Sequence, residues 1–180
     1  MTTAAAIGFR AHSGWAAAVA ITGSPDAPVA AMRRRIEMGL AQPYHAAVSL
    51  EIGEAHQLIA ECAARAASMA AAGLRGMIED LRPLGLHVTG CGLLLASGRP
   101  LPALEGILRS HALIHTAEGE HFRDALRAAV GACGLRLTTV KEHDLEIDPL
   151  CAAMGKSMGP PWGQDQKLSS MVGWLALRGC

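Results

Sequence analysis

The chain has 180 residues, 51% of them hydrophobic and 18% charged, which excludes a disordered chain and supplies one substantial core rather than two full domains. Sixteen Lys and Arg balance sixteen Asp and Glu to a formal net charge of +0, so no global positive field draws the protein onto nucleic acid or an anionic membrane. The five cysteines, Cys62, Cys91, Cys133, Cys151 and Cys180, contain no C-x-x-C pair, and the expectation is buried or free thiols in a cytoplasmic protein rather than a zinc knuckle or redox couple.

The N-terminal stretch lacks the basic start of a signal peptide, and Arg10 and His12 interrupt its apolar run, so no membrane span is expected. Ala5 to Ile21 reads as a strand pair or one long bent strand, with Ile7, Phe9, Val19 and Ile21 at alternating positions and Gly14 permitting the bend. Gly23-Ser24-Pro25-Asp26 is a turn signal. Val29 to Met38 reads as a partner strand, with Arg33 and Arg35 on one face and Arg34 and Ile36 on the other; a short helix fits the same residues. From Gly53 to Leu84 apolar residues recur at three- and four-residue spacing, including Leu58, Cys62, Ala66, Met69, Met77 and Leu81, which predicts a long helix ended by Pro83 and Gly85. His87 to Ser97 is short, apolar and glycine-bounded, a buried central strand, and Gly98 to Pro102 is its exit loop. A second long helix is predicted over Ala103 to Gly131, a strand over Leu135 to Val140, and a last helix over Lys167 to Leu177, introduced by Gly155 to Trp162.

The second helix carries the most informative pattern. At about 100° per residue, Leu104, Ile107, Leu108, His111, His115, Glu118, Phe122, Leu126 and Ala129 share one face. That places His111, His115 and Glu118 in the apolar stripe, where two imidazoles and a carboxyl must bond each other, a metal or a ligand. A hydrogen-bonded core triad, a metal site and an acid–base or anion-binding site all satisfy them, and H-x-x-x-H-x-x-E is not a specific zinc signature.

The opening AIGFRAHSGWAAAVAI resembles the first strand of Holliday-junction resolvases of the RuvC type, in which an aspartate-bearing strand runs through a small-residue turn into the next strand. HTAEGEHFRDALRAAVGACGLRLTTVKEHDL and the later GKSMGPPWGQDQKLSSMV resemble their helix, their helix-to-strand transition and their glycine-containing loop before a lysine-bearing helix. The resemblance covers most of the chain. It implies one α/β, ribonuclease H-like domain over 1–180, a mixed sheet of four or five strands flanked by helices, whose central strands present acids for two Mg²⁺ at one edge. Arg10 stands at the matching first-strand aspartate position, and VTGCGLLL brings Gly90 and Cys91 where a glutamate is due. Asp165 is the sole carboxylate near the matching end of the chain. An arginine at a metal cluster repels Mg²⁺, so the two-metal mechanism is not expected.

On that fold Arg10 and His12 leave the first strand beside Cys91, with Ser110, His111 and His115 nearby, a cationic set suited to a small anionic or phosphorylated ligand. Arg10 equally reads as a snorkelling residue or a partner of Glu118. Tyr44, beside His45 after Pro43, is the only tyrosine and is either a positioned phenol or a packing residue. Lys156 and Lys167 flank the Gly159-Pro160-Pro161-Trp162 loop and read as anion contacts or as solvated side chains, and Ser13 reads as an ordinary turn serine. Gly90 and Gly92 lack the helix start of a phosphate-binding loop, so no nucleotide cofactor is assigned.

Three functions follow. The leading one is a degenerate ribonuclease H-like domain without two-metal nuclease activity, its cleft rebuilt for anion binding or acid–base chemistry, with His111, His115 and Glu118 as catalytic groups and Arg10, His12, Ser110, Tyr44 and Lys167 as ligand contacts. It requires Arg10 and His111 on the same side of the sheet. The second is a residual metal-dependent phosphodiesterase or nuclease using Glu118, Asp165 and a histidine-held metal. The third is a non-catalytic interaction module or homodimer that uses an apolar helix face at Trp174, Leu175 and Leu177.

Overall fold

Alternating apolar side chains make β1 (Thr3–His12) and β2 (Trp15–Ser24) an antiparallel hairpin rather than one bent strand. Ser13 and Gly14 close it, Gly14 at a φ of 82° that L side chains rarely adopt. The computed structural model describes residues 2–179 apart from Pro25, Ser97 and Arg99. The expected turn at Pro25, the strand end at Ser97 and the thiol of Cys180 therefore lie outside the described residues. β3 (Ala27–Glu37) is a strand and not a helix, paired antiparallel with β2. β4 (Leu86–Leu95) runs parallel to β1, and β5 (Arg136–Lys141) parallel to β4, giving a mixed five-stranded sheet in the order β3-β2-β1-β4-β5.

Helices cover both faces. Five-residue α1 (Pro43–Ala47) leads into α2 (Ile52–Leu81), which a 3-10 turn over Arg82–Leu84 and Gly85 at φ 73° bring to an end. α2 packs with α4 (His111–Ala132) over Ile7, Phe9, Ala16, Ala18, Ile36, Cys91 and Leu93. Ala66, Ala70 and Ala71 line the buried side of α2, which lets it lie close to the sheet. Arg34 shares this face with Ile36 and reaches Asp80 of α2 at 2.5 Å, while Arg33 and Arg35 point to the other side, as the strand alternation predicts.

The opposite face carries α5 (Pro149–Ala153), α6 (Gly155–Met158) and α7 (Gln164–Arg178), the first two inside a stretch whose sequence shows no helical period. α7 presses on the sheet where β1 and β4 have no side chain. A Cβ on Gly8 would stand 1.9 Å from the Ser169 carbonyl oxygen, and one on Gly92 would stand 2.2 Å from that of Val172. Residues that serve strand propensity poorly are therefore what allow the helix in. Trp174 is buried and Leu175 and Leu177 are half-buried, so the expected open apolar face of this helix is instead covered, largely by the sheet, α5 and α6.

The predicted second helix is broken. α3 (Leu104–Leu108) ends at Arg109, and Ser110 starts α4 as its N-cap, Oγ accepting from Leu113 N–H at 3.5 Å. The buried stripe of α4 is Ile114, Ala117, Glu118, His121, Phe122, Ala125, Leu126, Ala129 and Val130. Carrying the phase of Leu104 and Ile107 through that break put His111 and His115 inside the stripe. The real stripe is centred on Glu118, His121 and Ala125, which leaves His111 and His115 exposed on its border. Among the described residues no helix is long and apolar enough to cross a membrane.

Candidate functional site

Even-numbered residues at the end of β1 face α7, because Ile7 and Phe9 face α2 and α4 and Gly8 meets α7. Arg10 and His12 thus emerge on the α7 side, at the carboxyl-terminal edge shared with parallel strands β4 and β5. Parallel register pairs Ile7 with Cys91 and Phe9 with Leu93. Arg10 therefore lies beyond Cys91, which is fully buried on the other face. The Arg10 guanidinium is held on two sides. Nε and Nη2 donate to Oε2 and Oε1 of Glu142 at 3.0 and 2.7 Å, a bidentate fork, and Nη1 donates to Asp165 Oδ1. His12 Nε2 lies 2.9 Å from the same Asp165 oxygen, and its ring stacks on Trp15 with centroids 4.2 Å apart and planes 12° from parallel.

Glu142 arrives from the 3-10 turn that ends β5, and Asp165 from the first turn of α7, where a carboxylate also complements the helix dipole. The hydrogen-bonded Glu142 raises the Arg10 pKa above its ordinary value against the opposing effect of burial. For Asp165, burial pushes the carboxyl up, but the hydrogen bonds and charges of Arg10 and His12 outweigh it and hold the net pKa below the ordinary value. Beside this ion cluster opens a cleft of about 430 Å³ lined by Leu95, Arg123, Glu142, His143, Gln164 and Leu168, among others. Arg123 reaches it from α4 and pairs with Glu120 at 2.8 Å.

A second group lies on the α2–α4 side. His45 of α1 joins His111 and His115 of α4, with ring centroids 5.6, 4.9 and 4.4 Å apart. Glu118 is 3% exposed, and its Oε1 accepts from the Tyr44 and His45 backbone N–H groups at 3.0 and 3.1 Å and lies 3.2 Å from His45 Nδ1. Its Oε2 is buried and has no hydrogen-bond partner among the described residues. Glu118 therefore fastens α1 to α4 and sets the His45 ring.

The structure thus separates the predicted residues. Arg10 and His12 are joined through Asp165; His111, His115 and Glu118 are joined through His45; the sheet stands between the two groups. The single cleft combining Arg10 with His111 does not form, and Arg10 pairs with Glu142 and Asp165 rather than Glu118. Ser110 is a helix cap. Tyr44 contributes its backbone N–H to Glu118 and sets its ring edge-on to His121 at 5.9 Å, with burial pushing its phenol pKa up. Lys167 sits in the first turn of α7, two residues past Asp165.

Three participants escaped the sequence reading. Glu142 had a usable signal, an acid directly after a parallel strand. His45 had none in its spacing, because it reaches α4 from a separate short helix. His121 was missed with the phase of α4. Burial lowers its pKa, and Nε2 has no hydrogen-bond partner among the described residues. Burial also pushes the thiols of Cys91 and Cys151 up to about 12, which makes them unreactive as nucleophiles.

Comparison with known proteins places the fold. No protein-family model matches the chain, and no curated sequence matches it. Among solved structures, RuvC from Thermus thermophilus in complex with a Holliday junction substrate is similar at a TM-score of 0.57 and 6% identity over 97% of this chain and 94% of that one. A second Thermus thermophilus RuvC structure is similar at 0.53 and 8% identity, over 97% and 95%. The fold is α/β and ribonuclease H-like. The paired Mg²⁺ ions that the resemblance implies need several free carboxylate oxygens at the β1 edge. Here Glu142 and Asp165 are both engaged by a guanidinium, and the residues present do not fit two magnesium ions.

Proposed function

We propose that this chain is a ribonuclease H-like domain, one unit over its whole length, that has lost two-metal phosphodiester hydrolysis and keeps the scaffold for binding. The observation that carries this reading is the Arg10 guanidinium seated between Glu142 and Asp165. A permanently protonated side chain occupies the place of a divalent cation and uses the carboxylates that would ligate one. A dication approaching it meets repulsion from Arg10, both Glu142 oxygens already engaged, and Asp165 Oδ1 shared between Arg10 and His12.

The same geometry changes the ligand expectation. Arg10 is not a free anion receptor, because its fork is filled by Glu142. A small anionic or phosphorylated ligand would instead enter the adjacent cleft, where Arg123, His143 and Gln164 supply polar contacts and Leu95 and Leu168 apolar ones. Nucleic acid is the alternative occupant, supported by the likeness to a junction-bound RuvC and opposed by the zero net charge.

Cleavage assays test this directly. Purified protein incubated with four-way junction, single-stranded and duplex DNA, in Mg²⁺ and separately in Mn²⁺, is expected to leave all substrates intact. Metal-dependent cleavage that disappears in an Asp165→Asn variant would overturn the proposal.

A further inference from the structure

We infer that His45, His111 and His115 form a binding site for a transition-metal ion, Zn²⁺ being the ion their donors suit best, on the α2–α4 side of the sheet and independent of the β1 edge. One ring nitrogen from each histidine can be chosen so that all three lie within 4.8 Å of one another. Four-coordinate zinc about 2.0–2.1 Å from each nitrogen sets its ligands roughly 3.3 Å apart, so a movement of about 1 Å per nitrogen closes the site. His111 and His115 are exposed, one helical turn apart, and free to rotate by that amount. His45 faces them from α1, so the three donors come from two elements that Glu118 already ties together.

Glu118 supplies the second, independent observation. It is a buried carboxyl whose only ion-pair partner among the described residues is His45, with one oxygen unpartnered. Two backbone N–H groups and the His45 ring converge on its other oxygen, so the ring is held in place before any ion arrives. The arrangement is that of a metal-ligating histidine oriented by a carboxylate: Glu118 Oε1 at Nδ1 of His45 leaves Nε2 of the ring for the ion. Three imidazoles without a thiolate suit borderline ions such as Zn²⁺ and exclude Mg²⁺, which asks for oxygen. Three protein ligands leave a fourth position for water or an exogenous ligand, the pattern of an open zinc site rather than a closed structural one.

The test uses the full chain, stripped with EDTA and titrated with Zn²⁺ in a calorimeter at neutral pH, with Co²⁺ as a spectroscopic probe. One Zn²⁺ per chain is expected, at least tenfold weaker in His111→Ala and in His115→Ala and unchanged in His87→Ala, a surface control. Co²⁺ should give the intense visible bands of four-coordinate cobalt, lost in the same two variants. Glu118→Gln, which keeps an acceptor for α1 but removes the charge, should weaken binding by about 10–100-fold. Because His111 and His115 are exposed, their variants are expected to keep the wild-type circular dichroism. The inference is overturned by absence of stoichiometric binding, or by a His111→Ala, His115→Ala double variant that binds as tightly as the parent.

Discussion

Arg10 and Glu118 are two answers to one electrostatic problem, how to hold charged groups where water is scarce. Around Arg10 the answer is a local ion cluster, with Asp165 25% exposed and Arg10 22% exposed. The depressed Asp165 pKa makes its contribution fully present above the ordinary value of 3.8 and lost as pH falls through the folded-state value. Acid titration of the fold should therefore show a loss below pH 3.8 that Asp165→Asn reduces, read by circular dichroism. His121 adds a second, higher window. Its folded-state pKa is lowered by burial from the ordinary 6.5, so the unfolded chain takes up the proton first and stability declines as pH drops below 6.5 toward the folded-state value. Replacing it by leucine should flatten the melting temperature between pH 7 and pH 5; an unchanged slope would mean that His121 does not carry it.

At the scale of elements, the sheet and its longest helix were legible because each buries a simple period. Strand alternation assigned Arg33 and Arg35 to one face and Arg34 and Ile36 to the other, and helical spacing found α2 to within a few residues. The failure at α4 has an equally physical origin. A helix break costs the sequence only a serine cap, and one residue of phase error swaps a border histidine for a buried one. Three-dimensional closeness of His45 to α4, and of Glu142 to β1, lies in the topology and leaves no local period to read. The α7 contact makes the sharpest prediction here. Gly92→Ala places a methyl against the Val172 backbone, so it should destabilise by about 1–3 kcal/mol, as overpacking does in a core that cannot relax. Gly131→Ala, in open space on α4, should be neutral or slightly stabilising in the same denaturant titration.

For the whole molecule, a ribonuclease H-like scaffold is compatible with cutting, with binding alone, and with a new site elsewhere, since fold does not fix function. The resemblance in the N-terminal strand foretold the scaffold, and Arg10 at the matching aspartate position carries the proposed loss of the metal site. The resemblance foretold nothing about the direction of the guanidinium, which depends on Glu142 and Asp165 arriving from two other elements. The feature on which the proposal turns is therefore a positive charge that captures the surrounding acids. Magnesium titration by calorimetry of the parent and of Arg10→Ala tests that most directly. No heat of binding is expected for the parent up to millimolar Mg²⁺, and a new, Asp165-dependent binding event is expected once the guanidinium is gone. Specific Mg²⁺ binding by the unaltered chain that Asp165→Asn abolishes would contradict it.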